Sequence, residues 1–154
     1  MEEEFHNHMR IPWHDYTRKS IGRPITEASL SEKASIIGRT GIMLLSCGTG
    51  AWRVRSSMNT LARELGITCT ADIGLLSIEY TCIDGGNCYT ESLCLFNTGV
   101  NTSKLYRMEL FVNKFSKNCK KMSGDELHTL LDQIHEIHGF YSPPFLGLAA
   151  AVAC

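Results

Sequence analysis

The segment Asp84-Gly85-Gly86-Asn87 constrains the fold of this chain more than any other. Two glycines between polar residues suit the tight loop of a β-hairpin, because glycine adopts the positive φ such loops need. The flanks, Leu75 to Ile83 and Cys88 to Phe96, therefore read as antiparallel strands. With Gly85-Gly86 as the loop, Ile83 faces Cys88, Thr81 faces Thr90 and Glu79 faces Ser92. One side of the ribbon then carries Leu76, Ile78, Tyr80, Tyr89, Leu93 and Leu95, and must pack on helices. The other carries Ser77, Glu79, Thr81, Thr90, Ser92 and Cys94. Upstream, Ile67, Cys69, Ala71 and Ile73 alternate with Thr68, Thr70, Asp72 and Gly74, which adds a third strand with period two.

Helices are expected on both sides of this strand block. Ser29-Leu30-Ser31-Glu32 fits a capping box and opens a first helix to about Cys47. Its stripe is Leu30, Ala34, Ile37, Gly41, Leu44 and Leu45. Gly38 and Gly41 cost helix propensity, so another element should approach them closely. A second helix runs from about Ala51 to Leu65 and stops at Gly66. Val54, Met58, Leu61, Ala62 and Leu65 make its stripe, and Trp52 falls on the opposite side. After Asn97-Thr98-Gly99-Val100-Asn101, a third helix spans about Ser103 to Lys117, with Leu105, Met108, Phe111, Val112 and Phe115 inward. Ser123-Gly124-Asp125-Glu126 opens a fourth, to about His138, on Leu127, Leu130, Leu131, Ile134 and Ile137. The order helix, helix, three strands, helix, helix predicts an α+β domain, with helices packed on one face of a small antiparallel sheet.

At 154 residues the chain has room for one core-bearing domain. A net charge of -1 lacks the basic excess of a nucleic-acid binder, so no nucleic-acid partner is expected. The seven cysteines are odd in number and form no C-x-x-C pair. With the acidic start Met1-Glu2-Glu3-Glu4 they read as reduced thiols in a cytosolic setting. Zinc spacings are missing, and His135 with His138 lacks a convincing third ligand, so no metal site is expected. There is also no G-x-S-x-G, H-E-x-x-H or phosphate loop, and no cofactor is implied.

The ends differ from the middle. Residues 1–26 show no sustained apolar period and are expected to form an arm or partly ordered tail. Residues 27–142 carry the domain. From Pro143 to Cys154 the chain is uncharged, about half the roughly 20 residues a spanning helix needs. A short buried tail is one reading. No cap, charge or turn residue closes the run, which favours the start of a membrane helix continuing beyond Cys154.

Gly48 through Arg55, Leu61-Ala62-Arg63-Glu64-Leu65-Gly66 and Ala71 through Cys82 resemble the threonine/serine exporter family, and more narrowly its YjjP-type N-terminal part. Asn97 to Asn101 and His138-Gly139-Phe140-Tyr141 fit the same ordered series, which covers about residues 30–154. The resemblance implies a cytoplasmic domain at the bacterial inner membrane, preceding a bundle of membrane helices. It further implies export of small polar metabolites, amino acids or dicarboxylates, with a second transporter subunit or a homo-oligomer as partner. Many members carry an acidic residue in the bend where this chain has Gly50, so no role of that carboxylate carries over.

Two candidate sites follow. In the bend from Gly48 to Arg55, Arg53 and Arg55 could contact an anion beside free N–H groups at a helix start, with Trp52 as a stacking or interface residue. The plainer reading is a helix-helix corner, with Gly48 as C-cap, Thr49 as N-cap and Trp52 buried against the N-terminal arm. On the sheet's polar face, Ser77, Glu79, Thr81 and Thr90, with Asp72 nearby, suit an amino or hydroxyl group. The plainer reading there is a solvated face, common in antiparallel sheets. A stand-alone hydrolase-like or ligand-binding domain using Ser77 and Glu79 is the alternative function.

Overall fold

The computed structural model describes residues 11–96, 98–118 and 121–137. Helix α1 is Leu30–Ser46 and α2 is Ala51–Glu64. Strands β1 (Thr68–Ile73), β2 (Ser77–Asp84) and β3 (Asn87–Cys94) follow, then α3 (Thr102–Asn118) and α4 (Gly124–His135). The expected α+β order is the observed one. The sheet is antiparallel in the order β1-β2-β3. Its register pairs Ile83 with Cys88, Thr81 with Thr90 and Glu79 with Ser92. Gly85 takes φ +60° in the loop, as the hairpin reading requires.

Local chemistry explains where the helices start. At α1 the Ser29 amide donates to Glu32 Oε2 at 3.1 Å, while Ser29 Oγ accepts from the Glu32 amide at 3.4 Å, which closes the capping box. At α3 the Asn101 side chain accepts from the Lys104 amide at 3.0 Å. The N-cap of α2 is Gly50 rather than Thr49, and no side chain caps it. Gly48, at φ +85°, makes the turn out of α1, and its amide donates to the Leu45 carbonyl at 3.1 Å.

Helix α1 is the centre of the domain. Every residue from Glu32 to Leu45 is buried, not only the apolar stripe. The sheet lies on one side of it, with α2, α4 and the N-terminal turns around the rest. The two glycines of α1 serve different neighbours. A Cβ on Gly41 would lie 2.5 Å from the Met58 sulfur of α2, and one on Gly38 would lie 2.2 Å from the Tyr80 hydroxyl of β2. The inward sheet face buries Ile78, Tyr80, Leu93 and Leu95, whereas Leu76, expected among them, is 40% exposed at the end of the sheet.

Residues 11–27 wind through short 3-10 turns and lay Trp13, Thr17, Ser20 and Ile25 into the core. The Ile25 amide donates to the Met122 carbonyl at 2.9 Å, which ties this stretch to the start of α4. No helix among the described residues is long and apolar enough to cross a membrane. The run from Pro143 to Cys154, read above as the start of a membrane helix, lies outside the described residues, as do His6, His8 and His138.

Candidate functional site

The polar sheet face is built by strand alternation alone. Residues two apart on a strand share a face, so Ser77, Glu79 and Thr81 stand together on β2. Antiparallel pairing sets Thr90 and Ser92 beside them from β3, and Thr70 and Asp72 from β1. Asp72 and Glu79 are direct cross-strand partners. Ser77, Glu79, Thr90 and Asp72 are exposed and Thr81 half-buried, and the Thr81 and Thr90 hydroxyls are 2.8 Å apart. The face therefore presents two adjacent carboxylates within a field of hydroxyls. That arrangement accepts hydrogen bonds and attracts a cationic group.

The bend residues go to separate places. Arg55 donates from Nε to the Ala71 carbonyl at 3.1 Å, which covers the free edge of β1 at the residue before Asp72. Arg53 instead reaches α3, where its Nη1 stands 3.1 Å from Glu109 Oε1, and its guanidinium lies 5.5 Å from the Trp52 ring centroid. Trp52 is 70% exposed, so it does not bury against the N-terminal arm. The buried tryptophan is Trp13, which belongs to the N-terminal arm itself and packs on His128 and Arg39, at 4% exposure. The fold thus brings Arg55 to the Asp72 strand and leaves Trp52 with Arg53 on a different edge.

Two partly buried polar groupings escaped the sequence. The first lies on the inward sheet face, where Glu91 of β3 accepts from three tyrosines. Tyr80 and Tyr89 donate to its Oε2 at 3.0 and 3.2 Å, and Tyr16 of the N-terminal turns to its Oε1 at 3.2 Å. Burial, then the nearby Glu91 charge, pushes the Tyr80 phenol well above its ordinary range, which keeps it a donor. Alternation from Thr90 and Ser92 would have placed Glu91 inward, an early sign that a half-buried carboxylate needed partners.

The second grouping joins the N-terminal turns to α1 and α4. His14 bridges two carboxylates of α4, with Nδ1 at 2.6 Å from Asp125 and Nε2 at 2.7 Å from Asp132. Arg39 of α1 forms an ion pair with the other oxygen of Asp132 and donates from Nη1 to the His128 carbonyl at 3.1 Å. The Arg39 Nη1 also lies 3.2 Å from His128 Nδ1, which must accept there. The proton of His128 then sits on Nε2 and faces Ser35 Oγ at 2.9 Å, while Ser35 donates to the Glu32 carbonyl at 2.7 Å. Trp13 stacks on the His128 ring at 5.9 Å. Burial, then the Arg39 and His14 charges, brings His128 down to about 3 and holds it neutral. At His14 burial opposes charge, but hydrogen bonds and attraction from Asp132 and Asp125 outweigh it and raise the pKa.

A cleft of about 300 Å³ opens beside this network, lined by Trp13, His14, Arg39, Met43, Asp132 and His135 among others. Both nitrogens of His14, both oxygens of Asp132 and both terminal nitrogens of Arg39 are already engaged with protein groups. The grouping therefore acts first as a latch between the N-terminal turns and α4. The sequence signal was Arg39 itself, the one charge in the run Ile36 to Leu45, together with His128 and Asp132 spaced i, i+4 on one face of α4. Among the described residues no group of three or more His, Cys, Asp or Glu side chains is arranged to hold a metal.

The family model described as "Putative threonine/serine exporter" matches residues 35–154, from the middle of α1 onward. No curated protein and no solved structure matches the chain. The match takes in the bend, the whole sheet with its polar face, α3, α4 and the uncharged run after Pro143. The chain belongs to the threonine/serine exporter family.

Proposed function

We propose that this chain forms the cytoplasmic domain of a threonine/serine exporter-like membrane protein, and that it recruits or gates small polar metabolites for a pore built by membrane helices. The observation that carries the reading is the Asp72–Glu79 pair across β1 and β2 on the exposed sheet face. Like charges directly opposite one another destabilise a sheet. An ammonium group docked between them relieves that repulsion, and the surrounding hydroxyls of Ser77, Thr81 and Thr90 complete its hydrogen bonds. Arg55, bonded to the residue before Asp72, meets the carboxylate of the same zwitterion in this reading. Arg53, paired with Glu109 of α3, acts at a contact with the rest of the transporter, a second subunit or another copy of the chain.

The test is flux. The full-length protein in vesicles should move threonine, serine or a dicarboxylate. Asp72→Asn or Glu79→Gln should lower amino-acid flux about tenfold, the equivalent of about 1.4 kcal/mol for one charged contact. Neither change should lower the melting temperature, since each removes a repulsion. A full-length protein that moves no amino acid or dicarboxylate would sink the reading.

A further inference from the structure

The large apolar side chains left in solvent gather at one end of the domain. Leu75 is 92% exposed, Val100 75%, Trp52 70%, Tyr106 61% and Phe96 54%. The connectivity brings them together. Helix α2 and strand β1 run in opposite directions from their junction at Gly66, and the Arg55–Ala71 bond fixes their relative level. Trp52, nearly one turn before Arg55, and Leu75, four residues past Ala71, therefore both lie at the end away from that junction. Phe96 follows Leu95, whose amide donates to the Leu76 carbonyl at 2.7 Å. Val100 follows Gly99, whose amide donates to Ser46 at the end of α1 at 3.3 Å. Tyr106 stands one turn before Glu109, the partner of Arg53. Of the large exposed apolar side chains among the described residues, only Ile21 and the partly exposed Leu76 remain, and Leu76 belongs to the same end.

The last described residues reach this end too. The Asn101 side chain donates to the Ile137 carbonyl at 3.3 Å, next to Val100. Five residues separate Ile137 from Pro143, a reach of at most about 20 Å. Beyond them, Pro143 to Cys154 carry no charge. An apolar rim thus stands within one short connection of an apolar run.

We infer that this end of the domain rests on the lipid–water interface of a bilayer. Trp52 and Tyr106 carry an apolar ring and a polar tip, the pairing enriched at headgroup level. Leu75 and Phe96 stand at strand ends, as separate apolar tips rather than one flat patch, and enter the acyl boundary. Lys104 and Arg107, on the same helix as Tyr106, face anionic headgroups. The inference rests on the transporter reading for the presence of a bilayer, and not for what is transported.

Tryptophan fluorescence of the full chain tests it, in vesicles of phosphatidylcholine and phosphatidylglycerol with brominated acyl chains. The chain has two tryptophans, so the difference between wild type and Trp52→Phe isolates Trp52, while buried Trp13 serves as the internal control. Trp52→Phe leaves the core intact because the ring is mostly in solvent. Bromine should quench the Trp52 signal, as for a ring at the interface, and leave Trp13 nearly untouched. Leu75→Glu with Phe96→Glu should reverse that quenching. A Trp52 signal unaffected by bromine overturns the inference. That holds whether acrylamide still reaches the ring, meaning a face free in water, or does not, meaning a face covered by protein. Lipid quenching without amino-acid flux leaves the interface standing and removes the transport reading. Flux with an unquenched Trp52 does the reverse.

Discussion

His14 and Asp132 stand 118 residues apart in sequence and 2.7 Å apart in space, Nε2 to Oδ2. The contact ties an N-terminal turn to the last described helix. Its strength follows protonation of the imidazole. The His14 pKa is raised above 6.5 in the folded chain, so its stabilisation is complete below pH 6.5 and is lost as pH rises through the folded value. Asp132 is shifted the other way, because the His14 and Arg39 hydrogen bonds overcome the effect of its burial. Its contribution is complete above pH 3.8 and is lost as pH falls through the lowered folded value. His14→Gln should therefore flatten the pH dependence of unfolding above 6.5. The change should not exceed about 1 kcal/mol, since the His14 side chain is 42% exposed and its ion pairs are screened. Urea unfolding from pH 6 to 9 reads this directly.

His128 governs the acid side. It is neutral in the fold down to about pH 3, whereas the unfolded chain takes up a proton near 6.5. Stability should therefore fall on acidification between those values, approaching about 1.4 kcal/mol per pH unit for one proton. His128→Phe should remove that slope. At neutral pH it should cost about 1–3 kcal/mol, because Arg39 loses an acceptor in a buried place. The same urea series, extended to pH 4, separates the two histidines by window.

Gly38 and Gly41 predict a graded pair. A Cβ on Gly38 meets a rigid phenol at 2.2 Å, while one on Gly41 meets the flexible Met58 thioether at 2.5 Å. Gly38→Ala should reach the upper end of the about 1–3 kcal/mol typical of overpacking, and Gly41→Ala the lower end. Thermal melts of the two variants check the order, and an inverted order would contradict the packing described.

The bend arginines predict a split between function and stability. Arg53 and Glu109 are both nearly half exposed, and Arg55 bonds only a strand-edge carbonyl on the surface. Arg53→Ala or Arg55→Ala should each cost no more than about 1 kcal/mol, a fall in melting temperature of about 2–4 °C. Transport by the full-length protein should fall further, most for Arg55 beside Asp72. Parallel losses of both quantities would leave the bend a structural corner only.

Thiol reactivity checks the faces of the sheet. Cys88 and Cys94 are exposed, whereas Cys47, Cys69 and Cys82 are buried. In the native chain Cys88 and Cys94 should label with a maleimide well before those three, which should follow only on unfolding.

Much of this fold was legible because its signals are local. A two-residue loop fixes strand register, so the pairing of Glu79 with Ser92 follows from Gly85-Gly86. Helix phase put Trp52 away from the α2 stripe, where it is found. The polar sheet face followed from the same register. What escaped was long-range. Nothing near Arg39 in sequence names His128 or Asp132, 89 and 93 residues away. Nor did the N-terminal turns announce themselves, since Trp13 and Ile25 anchor them singly and 3-10 turns leave no sustained apolar period. The all-round burial of α1 was hidden for a related reason. Lys33 and Arg39 lie outside the apolar stripe, yet both are buried in the fold.

The His14 latch also sets an order of events during synthesis. His14 leaves the ribosome before Asp132, which follows 118 residues later. At about 5–20 residues per second, His14 waits roughly 6–24 s for its carboxylate. Through that interval Trp13 has no His128 to stack on, and Arg39 has no partner from α4. Residues 13–27 are thus among the last of the described residues to find their places, once α4 has been delivered.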